Sequence, residues 1–123
     1  MKFYVCKHCG NIITKLEDKG VPVVCCGEKM QELTPNTVDA STDKHVPVVE
    51  VKGSEVHVHV GAADHPMAEE HFIEWIVVKT NNGFQFRRLT PGSDPHAVFH
   101  VGNDKPLAVW AYCNLHGLWM TTL

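Results

Sequence analysis

Four cysteines in the first 26 residues constrain this chain more than any other feature. Cys6 and Cys9 stand in "CKHCG" (6–10), and Cys25 and Cys26 stand side by side in "VPVVCCGEKM" (21–30). The adjacent pair is poorly suited to bonding with itself. A disulfide needs Cα atoms about 4.4–6.8 Å apart and a definite torsion, which neighbours reach only across a strained peptide. Each sulfur therefore looks elsewhere. A C-x-x-C followed by glycine lets the backbone curl so that both sulfurs face one ion. A second pair about fifteen residues later completes four thiolates, a soft tetrahedral set for zinc or iron. Spacing alone does not choose between the two metals. A thioredoxin-like redox pair would need a βαβ pattern that is missing here, and buried free thiols would not explain all four together.

Composition fits this reading. The chain has 123 residues, enough for one domain or for a small one plus a modest one. Hydrophobic residues make up 44% and charged residues 20%, the balance of an ordinary water-soluble protein. A formal net charge of −3 offers no general basic face for nucleic acid or an anionic membrane. No apolar run approaches a membrane span, and "MKFYVCKHCG" lacks the apolar core of a signal peptide. A reducing cytoplasm is the expected compartment, where five cysteines serve metal or redox chemistry rather than a disulfide framework.

Beyond the cysteine-rich start the pattern changes. "FYV" (3–5), "IITKL" (12–16) and "PVVCC" (22–26) read as short strands around the first metal site. Residues 34–44, "TPNTVDASTDK", are polar and turn-rich and serve as the linker candidate. Then short apolar or alternating runs recur at 46–51, 55–60, 72–79, 83–89, 97–101, 107–113 and 118–122, separated by "KGS", "TNNG", "PGSDP" and "GNDKP". Such spacing predicts an antiparallel β-sandwich or barrel. "HPMAEEH" (65–71) has room for one short helical segment at most.

Nine histidines are many for this length. His45 follows the linker, His65 and His71 bracket a polar segment, and His116 comes three residues after Cys113 in "YCNLHG" (112–117). A C-x-x-H at a strand end can bring thiolate and imidazole to one ion, and with further imidazoles the set suits iron, copper or zinc. Singly, each histidine reads as an exposed or hydrogen-bonded side chain. His57 and His59 share a strand face and read as a polar sheet surface. His8, His96 and His100 have no evident partner.

With these residues in view, the chain resembles desulfoferrodoxin, the two-iron superoxide reductase family, over its whole length. "CKHCG" and "VCCGEKM" resemble its desulforedoxin-like part; "DKHVPVVEV" (43–51), "HPMAEEHFIEWI" (65–76) and "YCNLHGLW" (112–119) resemble its catalytic part. The resemblance implies an all-β chain: a desulforedoxin-like metal-binding domain at 1–36, then an immunoglobulin-like antiparallel β-sandwich, the superoxide reductase domain, at 37–123. It implies two iron ions per chain. Cys6, Cys9, Cys25 and Cys26 would hold a distorted tetrathiolate iron. His45, His65, His71 and His116 would bind a catalytic iron equatorially, with Cys113 axial and the opposite face open to superoxide. Lys44 would stand at the mouth. The family usually carries glutamate just before this lysine, whereas Asp43, one methylene shorter, stands here. A rubredoxin-type electron donor and a homodimer are the implied partners, with no nucleic acid and no membrane. Two other readings compete, a zinc-ribbon-like binding module and a pure electron carrier. Both leave "CNLH" and "HPMAEEH" unused.

Overall fold

The computed structural model describes residues 1–123, which divide into two compact units, Met1–Thr34 and Pro35–Leu123. Almost every regular element is a strand.

In the first unit, β1 (Phe3–Val5) pairs antiparallel with β2 (Ile12–Thr14) and with β5 (Gln31–Glu32), while β3 (Val24–Cys25) and β4 (Glu28–Lys29) form a separate hairpin. The buried apolar set is small: Phe3, Val5, Cys6 and Met30. A unit of this size gains little from apolar burial alone. The sequence reading misses β4 and β5 because two-residue polar strands leave no alternating pattern to detect.

The second unit is a two-sheet sandwich. One sheet has the order β10 (His96–His100), β7 (Glu55–Val60), β6 (Pro47–Lys52). The other has the order β12 (Gly117–Thr122), β11 (Pro106–Cys113), β8 (Ile73–Thr80), β9 (Gly83–Arg88), and all pairings are antiparallel. These are the seven strands that the alternating runs predict. In β7, "EVHVHV" sends Val56, Val58 and Val60 inward and leaves Glu55, His57 and His59 on the other face, as a period of two requires. The core joins these valines to Ala97 and Phe99 of β10, Ile73, Ile76 and Val78 of β8, and Val109, Ala111 and Cys113 of β11. A hydrogen bond from Thr121 Oγ1 to the Pro47 carbonyl (2.6 Å) links the sheets at one margin.

Two local features differ from expectation. A single helical turn, α1 (Thr42–His45), closes the segment read as linker. Residues 65–71 form no helix; Ala68 and His71 exchange backbone hydrogen bonds of 3.0 and 3.1 Å and close a tight β-turn instead. No helix is long and apolar enough to cross a membrane.

Candidate metal centres

The four N-terminal cysteines converge, with all their sulfurs within 4.8 Å of one another. Cys9 Sγ and Cys25 Sγ are 3.6 Å apart, far beyond a bond but close to the about 3.8 Å that separates thiolates held tetrahedrally at about 2.3 Å from one metal. The backbone N–H of Cys9 donates to Cys6 Sγ at 3.5 Å, and Asn11 Nδ2 donates to Cys25 Sγ at 3.7 Å. The adjacent pair becomes usable because Cys26 adopts φ 52°, with Gly27 next at φ 78°. That left-handed step swings the second sulfur round to the first, at a cost of about 1 kcal/mol for a residue with a Cβ. The thiols do not ionise alike. The Cys9 N–H draws Cys6 down to about 6, whereas hydrogen bonding to Cys9 and Cys6, with burial, pushes Cys26 up to about 12. Four thiolates in one place need a cation among them.

The second cluster gathers residues from α1, the 61–71 segment and the β11–β12 turn. His45 ends α1, His65 follows the loop after β7, His71 closes the turn before β8, Cys113 ends β11 and His116 precedes β12. His45, His65, His71 and Cys113 place one donor atom each within 4.8 Å of one another. His116 Nδ1 lies 3.1 Å from His45 Nε2 and 4.0 Å from Cys113 Sγ. The four imidazoles form a square. Along its sides the ring centroids are 4.5 Å (His45–His65), 4.7 Å (His65–His71), 5.1 Å (His71–His116) and 4.9 Å (His116–His45) apart, and the His45–His71 diagonal is 6.4 Å. Neighbouring rings stand edge-on, at 74–84°.

Tautomers decide what such a square is for. His45 Nδ1 lies 2.6 Å from the Ser41 carbonyl and His65 Nδ1 lies 2.7 Å from the Pro66 carbonyl. Carbonyls only accept, so both Nδ1 atoms carry the proton, and both Nε2 atoms present lone pairs. Those lone pairs face each other at 3.0 Å, an arrangement that repels unless a cation lies between. Metal–imidazole bonds of about 2.1 Å at right angles would set neighbouring nitrogens about 3.0 Å apart. His71 Nε2 is buried without a hydrogen-bond partner, which costs about 1–3 kcal/mol if nothing binds it. Desolvation lowers the proton affinity of His45 and His71 and takes His65 down to about 4, so the rings are neutral ligands at neutral pH. Burial pushes the Cys113 thiol up, against backbone N–H groups of Leu115 and His116 that favour the thiolate. The donor set fits one divalent transition ion.

The surroundings hold this set in place. Trp119 stacks on His45 (4.8 Å, 29°) and its Nε1 donates to the His116 carbonyl at 3.1 Å. Asn114 clasps the segment that carries His71: its Oδ1 accepts from Phe72 N at 2.9 Å and its Nδ2 donates to the Glu70 carbonyl at 3.1 Å. Gly61 lets the His45 loop approach, since a Cβ there would meet Asp43 O at 2.7 Å and Val46 O at 2.9 Å. Sequence reasoning missed these three residues. The only trace was their place inside or beside the motifs, as in "CNLHGLW". Lys44 is exposed on the same turn as His45, and its charge helps to lower His45 and His71. Asp43 is exposed, and its backbone carbonyl accepts from Ala63 N at 3.0 Å. The histidines read as unpartnered do have partners: His8 lies 3.2 Å from Glu28, His96 3.1 Å from Asp64 and His100 3.6 Å from Glu55.

Comparison with known proteins completes the picture. Residues 37–122 match the family model described as Desulfoferrodoxin. The chain belongs to the desulfoferrodoxin family. It is 45% identical over 119 residues to a desulfoferrodoxin of Syntrophotalea carbinolica, covering 97% of this chain and 94% of that one. It is 42% identical over 121 residues to a desulfoferrodoxin homolog of Archaeoglobus fulgidus, covering 98% and 96%. Among solved structures, the superoxide reductase from Treponema pallidum superposes with TM-score 0.83 at 36% identity, covering 98% of each chain. The one-iron superoxide reductase of Giardia intestinalis covers 97% of its own length but 66% of this chain, with TM-score 0.56 and 32% identity.

Proposed function

We propose that this member of the desulfoferrodoxin family is a superoxide reductase whose catalytic iron is held by His45, His65, His71, His116 and Cys113. One observation carries the assignment of ligands: His45 Nε2 and His65 Nε2 aim two lone pairs at one point, 3.0 Å apart, in a square completed by His71 and His116 above a buried thiol. The reaction is O₂⁻ + e⁻ + 2H⁺ → H₂O₂, with no dioxygen released. Iron held by these residues would supply the electron by passing from the ferrous to the ferric state.

The remaining steps belong to the chain. Four neutral imidazoles and one thiolate leave a ferrous site with a net charge of about +1, and Lys44 adds a positive charge at its edge. Together they draw a small anion to a protein whose formal charge is −3. Cys113, 0% exposed, sits on the core side, where solvent does not compete for its sulfur. Its thiolate, steadied by the Leu115 and His116 N–H groups, is the electron-rich donor in the set and would push electron density onto the iron it helps to hold.

Cys6, Cys9, Cys25 and Cys26 hold the second iron, an electron-transfer centre in a desulforedoxin-like domain at 1–36, and the sandwich at 37–123 is the catalytic domain. A rubredoxin-type protein returns the electron, the enzyme is a homodimer, and five free cysteines suit a reducing cytoplasm. Metal analysis with visible spectra before and after oxidation tests the whole assignment. Two iron atoms per chain, a tetrathiolate charge-transfer spectrum and a second, longer-wavelength band on oxidation are expected, together with superoxide consumption that yields peroxide. Zinc in place of iron, or a tetrathiolate spectrum alone, would overturn it.

A further inference from the structure

A thioether holds the loop that carries two of the catalytic ligands. Met67 lies between His65 and His71, and the backbone N–H of Ile73 donates to its Sδ at 3.4 Å. That contact closes residues 67–73 on themselves. Within the closed loop, Ala68 and His71 exchange their backbone bonds of 3.0 and 3.1 Å, and at its start the Met67 carbonyl accepts from Gly92 N at 2.7 Å. Met67 is half-buried. It packs against the sandwich core, whose members include Ile73 and Cys113, yet keeps part of its surface in solvent.

We propose that Met67 is a site of sulfoxidation by hydrogen peroxide, and that this modification loosens the catalytic metal centre. The inference rests on the function proposed above for the source of the oxidant, since each turnover would release one peroxide molecule beside this loop. In the step, a sulfur lone pair attacks one peroxide oxygen. An S–O bond forms and the O–O bond breaks. The departing hydroxide takes the proton of the new S–OH group and leaves as water. Sulfur loses two electrons and peroxide gains two, so no other reagent is needed. A thioether is a weak acceptor, and the Ile73 contact leaves one of its two lone pairs for the attack.

Geometry decides the consequence. Sulfoxidation turns a flexible apolar side chain into a polar, chiral one. Either the new oxygen turns to water and takes the side chain off the core, or it captures the Ile73 N–H and lengthens the bridge by an S–O bond. Both outcomes reshape the loop around His71, whose Nε2 has no hydrogen-bond partner to hold it. Asn114 still clasps this segment through Phe72 N and the Glu70 carbonyl, so the effect is faster loss of metal rather than unfolding. Of the four methionines, the other three lack this leverage. Met30 is buried in the N-terminal unit, Met1 is the exposed terminus, and Met120 pairs with Trp110 in β12.

The test treats the full-length, iron-loaded protein, oxidised to the ferric state, with hydrogen peroxide alone. Peptide mass analysis locates added oxygen, and chelator competition follows iron release from the catalytic centre through its long-wavelength band. Met67 is expected to gain one oxygen, and release should then rise about tenfold or more, the scale on which lost outer-shell partners act. Methionine sulfoxide reductases, one for each epimer, should restore the slow rate. Met67→Leu keeps apolar bulk without sulfur, so peroxide should leave its release rate where it started. An unmodified Met67 in treated wild type, a modified Met67 with unchanged release, or equal acceleration in wild type and Met67→Leu would overturn the proposal; the last would place the damage on a thiol instead. None of these readouts uses superoxide. A protein that shows the Met67 response but does not reduce superoxide would sink the function above and leave this site standing.

Discussion

At the scale of single residues, the catalytic cluster is a set of atoms that oppose one another until a cation joins them. The backbone carbonyls of Ser41 and Pro66 fix which nitrogens of His45 and His65 stay bare, and burial keeps the rings neutral. Acid therefore works against the site. His65 is 2% exposed, and its protonation falls to about 4 in the folded protein from 6.5. Between those values the unfolded chain binds a proton that the folded one refuses, so stability drops as pH falls from 6.5 toward 4. For the metal-free protein the full loss from this residue is about 3 kcal/mol. Urea midpoints across that range check it; a flat profile would contradict the burial argument. Cys113→Ser tests the sulfur: replacing a soft thiolate by a weak hydroxyl donor should abolish the long-wavelength band and cut superoxide reduction at least about 100-fold, while the tetrathiolate spectrum survives. Lys44→Ala should lower the second-order rate with superoxide, and the gap to wild type should narrow as the screening length shrinks from ~30 Å at 0.01 M salt to ~10 Å at 0.1 M. Pulse radiolysis over a salt series would show it; equal rates at low salt would remove Lys44 from steering. Asp43→Ala should leave capture unchanged or slightly faster, and a shift of the oxidised band would reveal that the shorter carboxylate reaches the iron after all.

At the scale of elements, the seven sandwich strands were legible, whereas the two-residue strands β4 and β5 and the turns that aim the ligands were not. The alternation in "EVHVHV" and the apolar run in "LAVWAYC" follow from burial on one or both faces, which one sequence records directly. The helical turn at Thr42–His45 and the β-turn at Ala68–His71 are too short to have a period. Their shapes come from tertiary partners, Gly61 in one case and Asn114 in the other. Likewise "C-x-x-H" tells that Cys113 and His116 can meet, but the square of rings depends on three segments distant in the chain. The supporting residues can be tested through the ligands they hold. Asn114→Ala removes both clasps on residues 70–72 and should weaken catalytic iron binding by about 10–100-fold, with rescue by Asn114→Asp only at the bond to Phe72 N. Gly61→Ala forces a Cβ to within 2.7 Å of Asp43 O, so the His45 turn must move. Iron release rates from chelator competition should rise in both variants, and an unchanged rate for either would reduce that residue to packing.

At the scale of the whole molecule, the two ligand sets share no residue, and the two units rely on different sources of stability. The sandwich has a continuous core of valine, isoleucine and alanine side chains around Phe99. The N-terminal unit has only Phe3, Val5, Cys6 and Met30 buried, so its fold leans on the ion that joins Cys6, Cys9, Cys25 and Cys26. In a small site of this kind, metal binding free energy is folding free energy. Cys26→Ser should therefore do two things at once. It removes the fourth thiolate, whose proton is held by hydrogen bonding to Cys9 and Cys6 and by burial, so the tetrathiolate spectrum should disappear and iron should fall from two atoms per chain to one. It should also loosen the unit's strands, seen as faster amide exchange in residues 1–34, while exchange in the β8 and β11 strands stays slow. Superoxide reduction by pre-reduced protein should persist, since each ligand of the catalytic iron lies in the other set. Iron analysis, amide exchange and a single-turnover assay on one preparation give the decision. If the variant loses both irons, or keeps both, the two centres do not divide along the chain as their ligands do.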